Sequence, residues 1–235
     1  MIKKILSTLL VSSALFLFAT TGSIAERPTF AIGYTATYGG YEANGTETEG
    51  AVAGHRETAR KNEAGEIGYS SLFMEVSFAD RVTIGASWMA DAVETNQSSR
   101  TDTIPAGTQL NSGGTSNAGT STVKAEFENL VTGYIELNIW NGLYAKYGYM
   151  EMDVNTKENL HTDTQYPNAT MDGETWGMGW KGTFDNGVFI KTETLMQNWS
   201  DLTLQGSGAT DTDNNTVVDV SLRGAVAQIS VGKAF

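Results

Sequence analysis

Acid–base chemistry in this chain would have to run through two histidines, His55 and His161. His161 stands two residues before Asp163, and His55 precedes Arg56 and Glu57. A catalytic imidazole needs its partners held within hydrogen-bond reach. Both histidines lie in long polar stretches with nothing in the pattern to hold them, so both are expected to be solvated loop residues. Asp211-Thr-Asp213-Asn-Asn215 resembles the start of a calcium loop, but the turn glycine and the closing bidentate glutamate are missing. It reads as a polar loop tip. Cysteine is absent, which excludes thiol chemistry and a disulfide scaffold. No phosphate loop, zinc spacing or nucleophile elbow occurs. No catalytic residue, cofactor or metal site is expected, and the chain reads as a non-enzyme.

The informative charges are spread along alternating segments. Glu75, Lys124, Glu126, Glu128, Glu136, Lys146, Lys181, Lys191 and Glu193 each fall on the opposite parity from large apolar neighbours. Side chains of a strand point alternately to its two faces, so these residues share one face of a sheet. Five acids and four bases on one enclosed face must pair, because a buried charge without a partner is costly. The expectation is a Glu/Lys network inside a closed sheet.

The elements that would position it follow in order. Phe30, Ile32, Tyr34, Ala36 and Tyr38 alternate with small residues. Leu72, Met74, Val76 and Phe78 lead through Ala79-Asp80-Arg81 into Val82, Ile84, Ala86, Trp88 and Ala90. Ala125, Phe127, Val131, Ile135 and Leu137 precede Asn141-Gly142, a strong hairpin dipeptide, and then Leu143, Ala145, Tyr147 and Tyr149. Trp176, Met178, Trp180 and Phe184 turn through Asp185-Asn186-Gly187 into Val188, Ile190, Thr192, Thr194 and Met196. The last segment puts Ala225, Ala227, Ile229, Val231 and Phe235 on one parity. Val218, Val220 and Leu222 break that parity. Either a bulge at Gly224 shifts the register, or the upper part of this hairpin projects beyond the apolar zone.

Between these eight strands the connections alternate between long and short. The stretches Gly39–Gly65, Ala92–Thr122, Asn155–Gly173 and Trp199–Asn215 lack a sustained apolar period and read as long polar loops. With three short turns on one side and four long loops on the other, an even-stranded antiparallel barrel is expected, each stripe tall enough to cross a bilayer. Phe30, Phe78, Trp140, Phe184 and Phe235 would gather at the short-turn rim. Tyr38, Trp88, Phe127, Tyr149 and Trp176 would gather at the other rim, as two interfacial belts. The alternative is a water-soluble barrel turned inside out, with Trp176, Met178 and Trp180 as its core and the charges outside.

The N-terminus carries Lys3 and Lys4, an apolar run from Ile5 to Phe18 and a small-x-small site at Ser23-Ile24-Ala25. That is the pattern of a secretory signal peptide over 1–25, leaving 26–235 as one barrel domain; the other reading is a retained anchor helix. The net charge of −12 becomes −14 once the two signal lysines are gone. An acidic chain without basic clusters argues against nucleic-acid partners.

An alternating C-terminal strand ending on Phe235, with Ile229 and Val231 before it, resembles the closing strand of bacterial outer-membrane barrels. With the strand count and loop asymmetry, the chain resembles the small eight-stranded barrels of the OmpA, OmpX and OmpW type. Lys233 departs from their usual ending. The resemblance implies an all-β, up-and-down transmembrane barrel in the outer membrane. It also implies export by the signal peptide, periplasmic chaperones and the barrel assembly machinery as partners, and lipids and lipopolysaccharide as surroundings. Ile229, Val231 and Phe235 would form the assembly signal. Two roles follow: a structural or surface-interaction protein with its lumen plugged by the Glu/Lys network, or a narrow route for ions or small hydrophobic compounds. A lipid-modifying enzyme ranks third, since it would need one of the two histidines.

Overall fold

The computed structural model describes residues 28–50, 56–79, 81–89, 91–102, 119–159, 165–206 and 217–235. The signal-peptide reading, both histidines, Asp163 and the Asp211–Asn215 stretch lie outside them. Among the described residues every regular element is a strand: β1 (Thr29–Gly50), β2 (Arg56–Phe78), β3 (Val82–Met89), β4 (Val93–Glu94), β5 (Ser98–Asp102), β6 (Gly119–Trp140), β7 (Leu143–Asn159), β8 (Ala169–Thr183), β9 (Val188–Trp199), β10 (Leu202–Gln205) and β11 (Val217–Ala234). The order is β1-β2-β3-β6-β7-β8-β9-β11, and β1 pairs back onto β11. All these pairings are antiparallel, and the β1–β11 ladder closes the sheet into a barrel without long edges. The minor strands β4, β5 and β10 pair with β6 or β11 above this ring.

The short connections follow their turn chemistry. Asn141 and Gly142 have φ of 47° and 83°, both left-handed. That is the type I′ turn whose twist matches a hairpin. Gly187 closes the β8–β9 turn at φ 79°, its N–H donating to Phe184 O at 2.8 Å.

The long connections correct the sequence reading. β1 and β2 stay paired from Thr29↔Ser77 to Gly50↔Arg56, so most of Gly39–Gly65 is hairpin rather than loop. β7 reaches Asn159 and β8 starts at Ala169, while β4, β5 and β10 occupy parts of the other two polar stretches. Apolar alternation marks a strand only where one face meets an apolar phase. These segments continue the hydrogen-bond ladder with polar residues on both sides.

Orientation decides what faces inward. Glu75, Glu136, Lys146, Lys191 and Glu193 are buried inside, whereas Trp176, Met178 and Trp180 are about half exposed outside. That excludes the inside-out barrel. Four large rings fit this narrow interior because each lies over an inward glycine on the neighbouring strand. Gly85↔Tyr134, Gly179↔Tyr144, Gly33↔Phe73 and Gly232↔Phe189 are direct partners, and a Cβ on any of these glycines would overlap the ring.

Two register details matter for the site. The β1–β11 ladder runs unshifted from Ala31↔Ala234 to Thr48↔Val217, so no bulge sits at Gly224. Even positions of β11 face inward throughout, and Leu222 packs on an interior cluster. In β6 there is a bulge: the pairing with β7 slips between Glu128 and Val131, and Asn129 takes φ 54°. One extra residue reverses which parity faces inward.

Candidate functional site

Side-chain contacts divide the interior into layers along the barrel. Toward the short-turn end, Phe73 and Phe189 meet at 6.1 Å between ring centroids, packed with Ala31 and Ala234.

The charged layer packs directly against them. Lys191 reaches from β9 to Glu75 Oε1 of β2 at 2.5 Å and also bonds Glu136 of β6. Lys146 of β7 holds both carboxylate oxygens of Glu193 at 2.9 and 3.2 Å and lies 3.6 Å from Glu136. Two phenols complete the set: Tyr134 donates to Glu75 at 2.8 Å and Tyr144 to Glu193 at 2.7 Å. Lys181 is only partly buried, 4.0 Å from Glu75 Oε2, with its ammonium 4.2 Å above the Phe189 ring. Three carboxylates thus meet three ammoniums, and the layer is formally neutral. Buried ion pairs of this kind are retained by geometry and added hydrogen bonds rather than by net Coulomb gain.

Next comes a polar layer. Tyr41 donates to Gln197 Oε1 at 2.8 Å, Thr35 and Ser230 share a 2.8 Å bond, and Gln228 donates to Thr37 at 3.1 Å. A cavity of about 20 Å³ opens here beside Lys146, Thr175 and Gln197. It is large enough for one water.

The fourth layer is apolar: Met89, Leu130, Met150, Met152, Val154, Met171 and Trp199 are buried together, with Phe127, Val93 and Leu222 packed against them. A second cavity of about 40 Å³ lies inside this cluster and reaches Tyr41, Ile67 and Tyr69. Above it Tyr166, between β7 and β8, crosses to the far wall, its hydroxyl 3.3 Å from Glu47 of β1 and its N–H bonded to Glu158.

The nine charges expected on one interior face therefore separate. Glu75, Glu136, Lys146, Lys191 and Glu193 come together, and Lys181 stands at their edge. Lys124, Glu126 and Glu128 do not join them, which corrects the reading. The Asn129 bulge turns these three to the outer face, opposite Lys157, Asn155 and Asp153 of β7. The same slip carries Phe127, expected in an outer belt, into the apolar layer. Outside, Lys157 binds Glu126 at 2.5 Å and Glu94 at 3.1 Å, and Lys124 also binds Glu94. Hydrogen bonds from Lys124 and Lys157 hold the Glu94 carboxyl below the usual carboxylate range, and Lys157 does the same for Glu126. Ile229, Val231 and Phe235 all face outward and are exposed.

The sequence reading passed over Tyr134 and Tyr144 as carboxylate donors, and the apolar layer as a whole. A signal for both was present. Each phenol shares the inward parity of a glycine partner, and Met150, Met152 and Val154 continue the face of Lys146.

No family model and no curated protein matches this sequence. Among solved structures, the chain is similar to the outer membrane protein OprG from Pseudomonas aeruginosa, at 12% identity and a TM-score of 0.48 over 86% of this chain and 96% of that one. It is similar to the outer membrane protease OmpT from Escherichia coli at 9% identity and 0.46, covering 92% and 99%. Similarity to the outer membrane protein AlkL is 9% and 0.40, covering 93% and 95%. These proteins are bacterial outer-membrane barrels, and the barrel described here rests on its own strand pairing rather than on likenesses this distant.

Proposed function

We infer that this chain is an integral protein of the bacterial outer membrane, an eight-stranded barrel whose role is structural or surface-directed rather than catalytic. One observation carries the reading: a closed barrel buries a Glu/Lys network in its lower half, and the wall around that half exposes apolar side chains all round. Phe30, Trp140, Phe184 and Phe235 ring the short-turn end, and Tyr38, Trp88, Tyr149 and Trp176 the other. A wall of this kind suits hydrocarbon bounded by two interfaces. The short turns then face the periplasm, and the paired extensions of β1–β2 and β7–β8 project from the cell. Lipids and lipopolysaccharide are the surroundings, and β11 with its exposed Ile229, Val231 and Phe235 is the strand for the assembly machinery and periplasmic chaperones to read.

The stacked layers support a lumen closed to through-passage, since the Phe73–Phe189 pair and the Glu/Lys network fill its short-turn end. Planar-bilayer recording of the folded protein and of Lys146→Ala tests this, with heat-shifted gel mobility reporting folding. Silent bilayers for the wild type are expected. Discrete wild-type conductance altered by Lys146→Ala would replace the plug with a gate. A protein that stays soluble without detergent would sink the membrane reading.

A second reading, access for small hydrophobic compounds, is favoured by one feature of the wall. β2 pairs with β3 only from Ser71 to Phe78, while β4 and β5 pair with β6 alone. Among the described residues no ladder joins the upper part of β2 to β4, and the apolar cavity is lined from both sides of that seam by Ile67, Tyr69 and Val93.

A further inference from the structure

Trp199 carries a polar atom that the fold leaves unused. The residue is 8% exposed, belongs to the apolar cluster and lines the 40 Å³ cavity. Its Nε1–H is buried, yet meets no acceptor among the described residues. Buried indole N–H groups ordinarily find a partner, and one left without is destabilising. The rest of the cavity wall is Ile67, Met89, Val93, Phe127, Leu130, Met152 and Leu222, with Tyr41 and Tyr69 at one side. Both tyrosine hydroxyls on this wall are engaged with Gln197, Tyr41 donating to its Oε1 at 2.8 Å and Tyr69 accepting from its Nε2 at 3.4 Å.

We propose that this chamber is a binding site for a small neutral molecule, mostly apolar, whose single carbonyl or ether oxygen accepts the Trp199 Nε1 hydrogen bond. Three features define the class. The walls select apolar bulk. The stranded donor selects an acceptor over plain hydrocarbon, because only the acceptor relieves it. The charged layer beneath holds three carboxylates against three ammoniums, so no spare cation is left to draw in an anion. The cavity is small as it stands; an apolar cavity of about 150 Å³ is the size that holds benzene. Met89 and Met152 flank it, and unbranched methionines rearrange to fit a guest at little cost. The site binds a guest without passing it on, so it stands whether or not the lumen conducts.

The test uses the folded full barrel in lipid nanodiscs, with the Trp199 indole N–H resonance assigned by its loss in Trp199→Phe. Cyclohexanone should shift that resonance downfield and saturably, with cyclohexane binding about tenfold more weakly and hexanoate not at all. In Trp199→Phe, read on the methionine methyl resonances, the preference for cyclohexanone should shrink to about twofold or less. Met152→Trp, folded by gel mobility, should abolish saturable binding. Equal affinity for ketone and hydrocarbon would overturn the proposal. So would a preference that survives Trp199→Phe, or the absence of saturable binding by any probe. None of these results depends on bilayer conductance, so the role proposed above is tested separately.

Discussion

The lower and upper halves of the lumen are built on the same inward faces of the same strands, yet they are filled by opposite means. Below, Glu75, Glu136 and Glu193 are fixed by Lys191, Lys146 and two tyrosine hydroxyls, each contact set by direction and distance. Above, four methionines and Trp199 pack without directional bonds. A hydrogen-bonded ion network has one good arrangement, whereas a methionine cluster has many of similar energy. The lower half therefore sets the barrel's interior geometry, and the upper half is the part that can yield to a guest.

Breaking the lower half should cost most. Lys191→Met leaves the Glu75 and Glu136 carboxylates facing each other without their shared cation, and removing one partner of a buried pair costs about 3–5 kcal/mol. Urea unfolding followed by tryptophan fluorescence in lipid vesicles reads this, and a loss under about 1 kcal/mol would mean that water reaches the layer. Met152→Ala in the upper half should cost less, about 2–3 kcal/mol, because neighbouring methionines collapse partly into the gap. If the two losses came out reversed, the contrast between a rigid floor and a yielding ceiling would fail.

Gly85→Ala sharpens the same contrast from the backbone. The new methyl would overlap the Tyr134 ring, pushing its hydroxyl off Glu75. Overpacking by one methyl costs about 1–3 kcal/mol, and the lower end of that range is expected if the ring can tilt. A loss near zero would show that Tyr134 does not need its place over the glycine.

These sites differ in how readable they were. The eight strands and the inner position of Glu75, Glu136, Lys146, Lys191 and Glu193 follow from period-two alternation, and the short turns from residues such as Asn141-Gly142, all of which are local signals. The fates of Lys124, Glu126 and Glu128 turned on one residue, Asn129, whose left-handed φ shifts the register with β7. Asparagine tolerates that conformation, but nothing beside it in the sequence demands it; the partner strand does. The apolar upper layer was missed for another reason. Val218, Val220 and Leu222 were judged against a frame in which apolar means outward, and that frame ends where the interior itself becomes apolar. The projecting hairpins were read as loops because polar residues on both faces erase the alternation without erasing the ladder.

The smallest effect belongs to the outer clamp, where Glu94 of β4 is held by Lys124 and Lys157 outside while Val93 beside it closes the apolar chamber. These pairs are exposed, and exposed pairs contribute little to global stability. Their effect should be local, on β4 alone. The Glu94 and Glu126 carboxyls both titrate below their usual range in the folded protein, Glu94 through hydrogen bonds from Lys124 and Lys157. A depressed folded value stabilises above the unfolded one, near 4.3, and that contribution is lost as pH falls through the folded value. The Thr95 amide, donating to Ala125 O at 2.8 Å, reports the docking of β4. Its hydrogen exchange, corrected for intrinsic chemistry, should speed up as pH drops below about 4 and as salt rises. Glu94→Gln should make exchange fast at neutral pH and remove most of the pH dependence. A Thr95 amide that ignores both pH and Glu94→Gln would mean that the ladder to β6, not the clamp, holds this part of the chamber wall.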